Sequence, residues 1–431
     1  MRSNFGQWLF VLAPIALGVL LLWRFPSCRR VRLRSVMIYV VVMGLVIYGA
    51  LRLVAWIAGG RVKPFEIVII LWFTVTWRLA WAIWIRTVGR WGERWVRWAR
   101  VRRRQSLPYA RIIRLIPIGR ALLTAVVFFP AFLSVVVTHR FKIADGQDPR
   151  SVFAAPFESI RIPTSDGLEL DGWFVLQHGA DRTIIICHGA GAGKGNFIWF
   201  LGPLLNHGYN VLFFDFRAHG GSGGRQTTYG LRERMDVKAA VDWLKRNRPA
   251  SARGIVGLGS SQGSMALALA AADDFRIDAI VLDSPFVSPA ELAFHHARKV
   301  PVIGPAMVRL ILAEMSLWTQ TNFFAVSAEQ AVASMSSRPV LVIHGDKDFV
   351  MPDSHAQRLW DAALGPRDIW FGPGPHSNII TEAPYDYAQR LFDFLDQHLG
   401  PAERRAPGVR KAAMMGEAPR ASQPAHADAP L

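Results

Sequence analysis

Residues 254–258 are apolar and β-rich, and they lead into Gly259-Ser260-Ser261-Gln262-Gly263; an Ala/Leu/Met-rich stretch of helical character follows at once. Strand, sharp turn and helix around a G-x-S-x-G centre lift one hydroxyl above a sheet, beside the N–H groups at a helix start. Small residues are needed two positions either side, because strand and helix pass close together. A hydroxyl placed there becomes a nucleophile when a base reaches it. The pattern occurs a second time, at Gly220-Gly221-Ser222-Gly223-Gly224. That copy lies beyond the run NVLFFDF with no apolar helix behind it, so it reads as a flexible loop, and context favours Ser261 over Ser222.

A nucleophilic serine needs a base to take its proton and a carboxylate to hold that base's tautomer and stabilise its charged form. Two later turns sit just past apolar strand runs: His344-Gly345-Asp346-Lys347-Asp348, and Gly372-Pro373-Gly374-Pro375-His376-Ser377. Serine, then Asp, then His is the chain order of one known triad architecture. His376, after the last strand, is the candidate base. The acid is Asp348 or Asp346, with Asp283, at another strand end, a third choice. His188 and His344 read as loop-stabilising, and Asp215 and Arg217 as braces between loops. The turn His188-Gly189-Ala190-Gly191-Ala192-Gly193-Lys194-Gly195 is not a P-loop, since its lysine is followed by Gly195 and its glycine spacing is wrong. Its backbone N–H groups, with that of Gln262, suit a developing oxyanion. Cys28 and Cys187 are too few for a disulfide framework, no Cys/His spacing resembles a zinc site, and no metal or organic cofactor is called for.

The elements that must carry these turns alternate. Strand patterns at 158–163, 168–176, 183–187, 210–216, 254–260, 278–283, 340–344 and 368–371 are interleaved with helical patterns at 198–207, 232–246, 264–272, 354–364 and 385–398. Apolar strands alternating with helices imply an α/β fold, a mainly parallel sheet covered on both faces, with ligands at the carboxyl ends of the strands. Residues 285–337 interrupt the alternation with bulky apolar residues. They read as a small helical cap over a pocket, or as extra core.

With these motifs in place, the stretch from about Phe157 to His398 resembles the α/β-hydrolase superfamily of serine hydrolases. It is similar to membrane-associated members that share a His-Gly loop, a D-x-R-x-x-G loop and an H-G-x-x-D acid turn. Here those are His188-Gly189, Asp215-Phe216-Arg217-Ala218-His219-Gly220 and His344-Gly345-Asp346-Lys347-Asp348. The resemblance implies the α/β-hydrolase fold, Ser261 as nucleophile, Asp348 as acid, His376 as base, and the Ala190 and Gln262 amides as oxyanion hole. The elbow departs from the family in one respect: Ser260 stands where a bulkier residue often precedes the nucleophile.

Charge divides the chain. Residues 1–142 hold 23 Lys/Arg against 2 Asp/Glu, and the remainder 27 against 30, so the net charge of +18 belongs wholly to the first third. The remainder has no electrostatic reason to bind nucleic acid. Four apolar segments, Phe5–Trp23, Ser35–Leu51, Phe65–Ile85 and Ala121–Thr138, approach the roughly 20 residues of a bilayer span. Arginine-rich loops between the first and second and between the third and fourth place those loops in the cytoplasm, and with four spans the Ser261 domain then faces the extracytoplasmic side of the inner membrane; Phe65–Ile85, with Glu66 at its edge and Arg78 inside, reads alternatively as a re-entrant or surface helix, and with three spans the domain is cytoplasmic. Arg86–Arg104, with interleaved Trp91, Trp95 and Trp98, reads as an amphipathic helix on anionic lipid, with RNA binding as the alternative. The organisation expected is a membrane region at 1–140, a linker at 141–156, a hydrolase domain at 157–400 with its cap at 285–337, and a disordered tail at 401–431.

The function expected is a membrane-anchored serine hydrolase acting on an ester, thioester or lipid acyl bond, with acyl-containing molecules and membrane lipid as partners. A serine peptidase of the same fold, or a non-catalytic binding or sensor domain, are the alternatives.

Overall fold

Alternation of side chains within each strand builds the two layers of the core. In β3 (Arg182–Cys187), Ile184 and Ile186 enter one layer while Ile185 and Cys187 enter the other. The same division holds in β4 (Tyr209–Phe214), where Val211 and Phe213 oppose Leu212 and Phe214. Successive side chains on a strand point to opposite faces, so an uninterrupted apolar run requires cover on both.

The computed structural model describes residues 129–139, 147–299 and 303–402, with Arg94, Gly119, Val126, Val127 and Lys142. The remaining strands are β1 (Glu158–Pro163), β2 (Glu169–Val175), β5 (Gly254–Ser260), β6 (Ala279–Asp283), β7 (Val340–Gly345) and β8 (Arg367–Gly372). They form one eight-stranded sheet in the order β1-β2-β4-β3-β5-β6-β7-β8. β1 and β2, and β2 and β4, pair antiparallel; every pairing from β4 to β8 is parallel. The expected mainly parallel α/β sheet is therefore present, and each expected strand lies within two residues of an observed one.

In chain order the helices are α1 (Phe129–Thr138), α2 (Pro149–Phe153), α3 (Leu201–Asn206, preceded by a 3-10 helix at Lys194–Phe200), α4 (Glu233–Asn247), α5 (Gln262–Asp273), α6 (Pro289–Ala297), α7 (Ile303–Thr319), α8 (Ala328–Ser334), α9 (Asp353–Ala362), α10 (Ile379–Glu382) and α11 (Pro384–Leu399). Helices α4, α5, α8 and α9 cover one face of the sheet; α3 and α11 cover the other. Helix α5 is buried almost throughout, which is why its sequence lacks a polar stripe.

Three details depart from the sequence expectations. Helix α2, with a reciprocal cap between Asp148 and Ser151, stands within the expected linker. The stretch 285–337 is divided: Leu312 and Met315 of α7 join Ala290, Leu231 and Phe323 in a separate small core, whereas Ala328, Ala331 and Val332 of α8 belong to the main one. The Gly220–Gly224 loop is tied down rather than loose, as described below. The first three apolar segments, the start of the fourth, the Arg86–Arg104 stretch apart from Arg94, and the tail beyond Ala402 lie outside the described residues. Among the described residues no helix is long and apolar enough to cross a membrane.

Candidate active site

Ser261 stands between the last residue of β5 and the first of α5, with φ 53° and ψ −114°. A non-glycine residue in that region carries backbone strain, which persists only where the surroundings enforce it. Here the Ser261 N–H donates to Asp283 O (2.8 Å), and the Ser264 hydroxyl donates to Gly259 O (2.6 Å) and Asp283 O (2.9 Å). The two glycines of the pentapeptide are steric necessities. A Cβ on Gly263 would lie 2.0 Å from Cys187 O, and one on Gly259 would lie 2.6 Å from Gly263 O.

The loop after β8 delivers His376 to this hydroxyl. The Ser261 hydroxyl and His376 Nε2 are 3.0 Å apart, and His376 Nδ1 is 2.7 Å from Asp348 Oδ2. The consistent proton assignment has Nδ1–H donating to the carboxylate and Nε2 accepting from the serine. Asp348 is held in turn, because its Oδ1 accepts from the N–H groups of Val350 (2.9 Å) and Met351 (2.8 Å). Burial alone would raise its carboxyl, but the hydrogen bond from His376 and the one from Met351 N–H outweigh burial and hold it below the ordinary carboxylate value.

The competing carboxylates are engaged elsewhere. Asp346 Oδ1 accepts from Gly374 N–H (2.9 Å), so it braces the loop that carries His376 without touching the imidazole. Asp283 accepts from the Ser284 hydroxyl (2.9 Å) and from the Tyr387 hydroxyl (3.2 Å), and burial pushes it up to about 6. Ser284 Oγ accepts from Ser377 N–H (2.9 Å), the residue after the base, which makes Asp283 and Ser284 part of the support for the His376 loop.

His188 and His344 are buried and serve loops. His188 Nε2 accepts from Phe216 N–H (2.9 Å) and its Nδ1–H donates to Gly189 O (2.8 Å); burial, then the neighbouring His219, lower it to about 4, so it is neutral. His344 Nε2 lies 3.2 Å from Met351 O, and burial lowers it as well. Ser222 is fully buried; its hydroxyl donates to Asp215 O and accepts from Asp171 N–H (2.8 Å). The loop around it is a strut: Ser222 ties β2 to the residue after β4, and Gly223 N–H donates to Glu169 O (2.7 Å).

The oxyanion candidates flank the serine. A Cβ on Gly189 would lie 3.6 Å from Ser261 Cβ, which places the His188-Gly189-Ala190 turn against the elbow. The Ala190 and Gln262 N–H groups make no hydrogen bond to another described residue, and Gln262 opens helix α5. Two unspent amides beside a strained serine suit a developing negative charge.

Sequence reasoning missed the network beneath this turn. Lys194 Nζ bridges Asp171 and Asp215, 2.8 Å from each, and its N–H donates to Asp215 Oδ1 (2.7 Å). Arg217 pairs with Asp236 (2.6 Å) and Asp166 (2.7 Å), which bears out the bracing role read for Asp215 and Arg217. Glu233, also missed, is buried and accepts from Thr227, Thr228 and Gly230. A charged residue beside glycines at a strand end was the available signal for Lys194; no local signal links it to residue 215.

Comparison with known proteins bears on the fold and the family. The model of the X-Pro dipeptidyl-peptidase (S15) family matches residues 135–302, a span that contains Ser261 but neither Asp348 nor His376. The uncharacterized protein YqkD of Bacillus subtilis is 31% identical over 240 residues, covering 54% of this chain and 78% of that one. An uncharacterized membrane protein of Saccharomyces cerevisiae is 27% identical over 248 residues, covering 56% of this chain and 80% of its own. An esterase of Pyrococcus furiosus, in one crystal form, superposes with a TM-score of 0.53 at 26% identity, covering 61% of this chain and 99% of that one.

Proposed function

Because this chain belongs to the α/β-hydrolase superfamily of serine hydrolases, we propose that it is a membrane-anchored enzyme that cleaves an ester, thioester or lipid acyl bond through Ser261, His376 and Asp348. The observation that carries the reading is the continuous line from Asp348 Oδ2 through His376 to the Ser261 hydroxyl, at 2.7 and 3.0 Å, ending on a strained backbone.

Each group has a task in acyl transfer. His376 Nε2 takes the Ser261 proton as the oxygen attacks the substrate carbonyl. The carbonyl oxygen becomes an anion facing the Ala190 and Gln262 amides, and the imidazolium is stabilised by Asp348. His376 then gives its proton to the leaving group, and an acyl-enzyme remains. Water, deprotonated by the same imidazole, attacks the acyl carbon and releases the acid. None of these steps calls for a metal or organic cofactor.

The Pyrococcus furiosus esterase supports an ester substrate, and the match to the X-Pro dipeptidyl-peptidase family favours a second reading, cleavage of a peptide bond. Purified full-length protein assayed against p-nitrophenyl esters of increasing chain length and against an Xaa-Pro p-nitroanilide separates the two. The ester reading expects turnover of the esters, abolished by Ser261→Ala, and little of the anilide; the reverse ranking overturns it.

Anchorage rests on the four apolar segments of the first 140 residues, and the yeast relative's designation as a membrane protein supports it. The arginine distribution supports an orientation with the hydrolase domain on the extracytoplasmic side of the inner membrane. Protease added to intact spheroplasts is expected to digest residues 157–400; protection of that region until lysis overturns the orientation.

A further inference from the structure

Glu233, the first residue of α4, is fully buried, and its carboxylate meets four neutral donors. Oε1 accepts from the Thr227 hydroxyl (3.0 Å) and Thr228 N–H (2.8 Å), and Oε2 accepts from the Thr228 hydroxyl (2.7 Å) and Gly230 N–H (2.9 Å). The helix dipole favours a carboxylate at that position, but burying one among neutral donors is still costly. The four bonds close a turn that the backbone resists, since Tyr229 has φ 54° and Gly230 φ 108°. The turn is seated on the helix that the nucleophile heads. A Cβ on Gly230 would lie 2.4 Å from Met265 Cγ and 2.9 Å from Ala266 N, early in α5.

Thr227 carries the hold from this turn to the nucleophile's neighbour. Its Oγ1 stands 3.1 Å from Gln262 Oε1, and its N–H donates to Thr138 O of α1 (2.8 Å), which fixes it from another side. One hydroxyl proton serves one acceptor fully, and the carboxylate is the stronger of the two. With the Gln262 amide turned about its last bond, Nε2 donates to Thr227 Oγ1, which gives a partner to a nitrogen otherwise buried without one. Gln262 is thereby anchored at both ends. Its N–H directly follows the strained Ser261, and its side chain, wholly shielded from solvent, ends on Thr227.

We propose that Glu233, acting through Thr227, is a positioning residue for the oxyanion hole: the clamped 227–230 turn holds Gln262 so that its N–H faces the substrate's carbonyl oxygen as that oxygen becomes an anion. The proposal rests on the reading of Ser261 and the Gln262 amide given above. Such donors act when fixed about 2.7–3.1 Å from where the charge develops, so loosening the turn is felt in the transition state and hardly in substrate binding.

The test uses full-length protein and a short p-nitrophenyl ester. Thr227→Val removes the link and keeps the side chain's shape. It is expected to lower kcat about 10–100-fold with KM within about threefold, less than the loss of a donor outright at about 10²–10³-fold. Glu233→Gln is expected to lose at least as much, and Thr227→Ser, which keeps the hydroxyl, to retain most of the parent rate. A trifluoromethyl ketone, whose adduct with Ser261 carries the oxyanion, is expected to bind Thr227→Val more weakly by the factor that kcat/KM falls. The pH dependence of kcat is expected to stay in place, because Asp348 and His376 are untouched. Ser222→Ala removes a buried hydroxyl from the neighbouring loop and sets the baseline for a merely structural effect; it should leave the ketone's affinity within about threefold. An unchanged kcat in Thr227→Val overturns the proposal. So does an equal loss of ketone affinity in Ser222→Ala, or a loss in Thr227→Ser as large as in Thr227→Val. Where Glu233→Gln does not fold, the two Thr227 variants decide alone. Turnover that survives Ser261→Ala overturns the hydrolase reading and this proposal together, whereas turnover that requires Ser261 but not the Thr227 hydroxyl overturns this proposal only.

Discussion

The chain contains G-x-S-x-G twice, and the fold uses the two copies for opposite purposes. At 259–263 the serine has a left-handed backbone, stands at the head of a helix and lies 3.0 Å from an imidazole. At 220–224 the serine is fully buried, gives its proton to Asp215 O and accepts from Asp171 N–H. The second copy's glycines are also packed closely, since a Cβ on Gly220 would overlap the Asp215 carboxylate at 2.1 Å. Glycine in both loops serves close approach, yet only one presents a hydroxyl to a base. Reactivity belongs to the backbone turn and its neighbours, not to the pentapeptide.

The largest contrast lies between the serines themselves. Ser261→Ala is expected to lower the turnover of a p-nitrophenyl ester by about 10⁵–10⁶-fold, the scale of losing a triad nucleophile. Ser222→Ala is expected to hold the rate within about tenfold and to cost about 1–3 kcal/mol in urea unfolding, since Asp171 N–H loses its buried acceptor. Equal rate losses would erase the distinction.

The acids sharpen the comparison one step down. Asp348→Asn leaves the imidazole without its tautomer-fixing partner, and about 10³–10⁴-fold of kcat should go with it. Asp346→Asn keeps an oxygen for Gly374 N–H, so its loss should stay below about tenfold. Steady-state kinetics on both variants at one pH is sufficient, and the opposite ranking would move the acid to residue 346.

Glycine substitutions probe the turns as structures. Gly263→Ala drives a methyl into Cys187 O and should destabilise by more than about 3 kcal/mol or prevent folding. Gly223→Ala meets Glu169 O at 3.2 Å, a contact that a small shift relieves, and should cost about 1 kcal/mol. Urea midpoints measured side by side decide this.

The smallest effect concerns the loop beneath the base. A carboxyl raised from 3.8 to about 6 holds its proton more tightly folded than unfolded, so the stabilising contribution of Asp283 is complete below pH 3.8 and is lost as pH rises through 6. Asp283→Asn imitates the protonated form. It should raise stability by about 1–3 kcal/mol at pH 8, with the gain shrinking toward zero near pH 4. A gain independent of pH would remove the burial explanation.

Much of this was legible in the chain. Strands β3 through β7 announced themselves because runs buried on both faces must be apolar almost without a break, as in Ile184–Ile186 and Val340–Ile343. Strand, serine turn and helix appeared in one contiguous stretch, so Ser261 was visible locally. Supports built by long-range pairing were not. Lys194 meets Asp171 and Asp215, and Tyr387 meets Asp283 across 104 positions, and neither pairing leaves a periodic trace. Residues 129–138 show a different limit. Hydropathy marks that stretch as apolar but does not tell a helix sheltered by lipid from one sheltered by protein, and in the structure α1 lies along α7.

The central claim is that Ser261 is the nucleophile, activated by His376. Fluorophosphonate labelling of the folded full-length protein, with the adduct located by mass spectrometry, tests it most directly. The account predicts a single phosphonylated residue, Ser261, with labelling lost in Ser261→Ala and strongly slowed in His376→Ala. An adduct on Ser260 or Ser222, or undiminished labelling of Ser261→Ala, would contradict it.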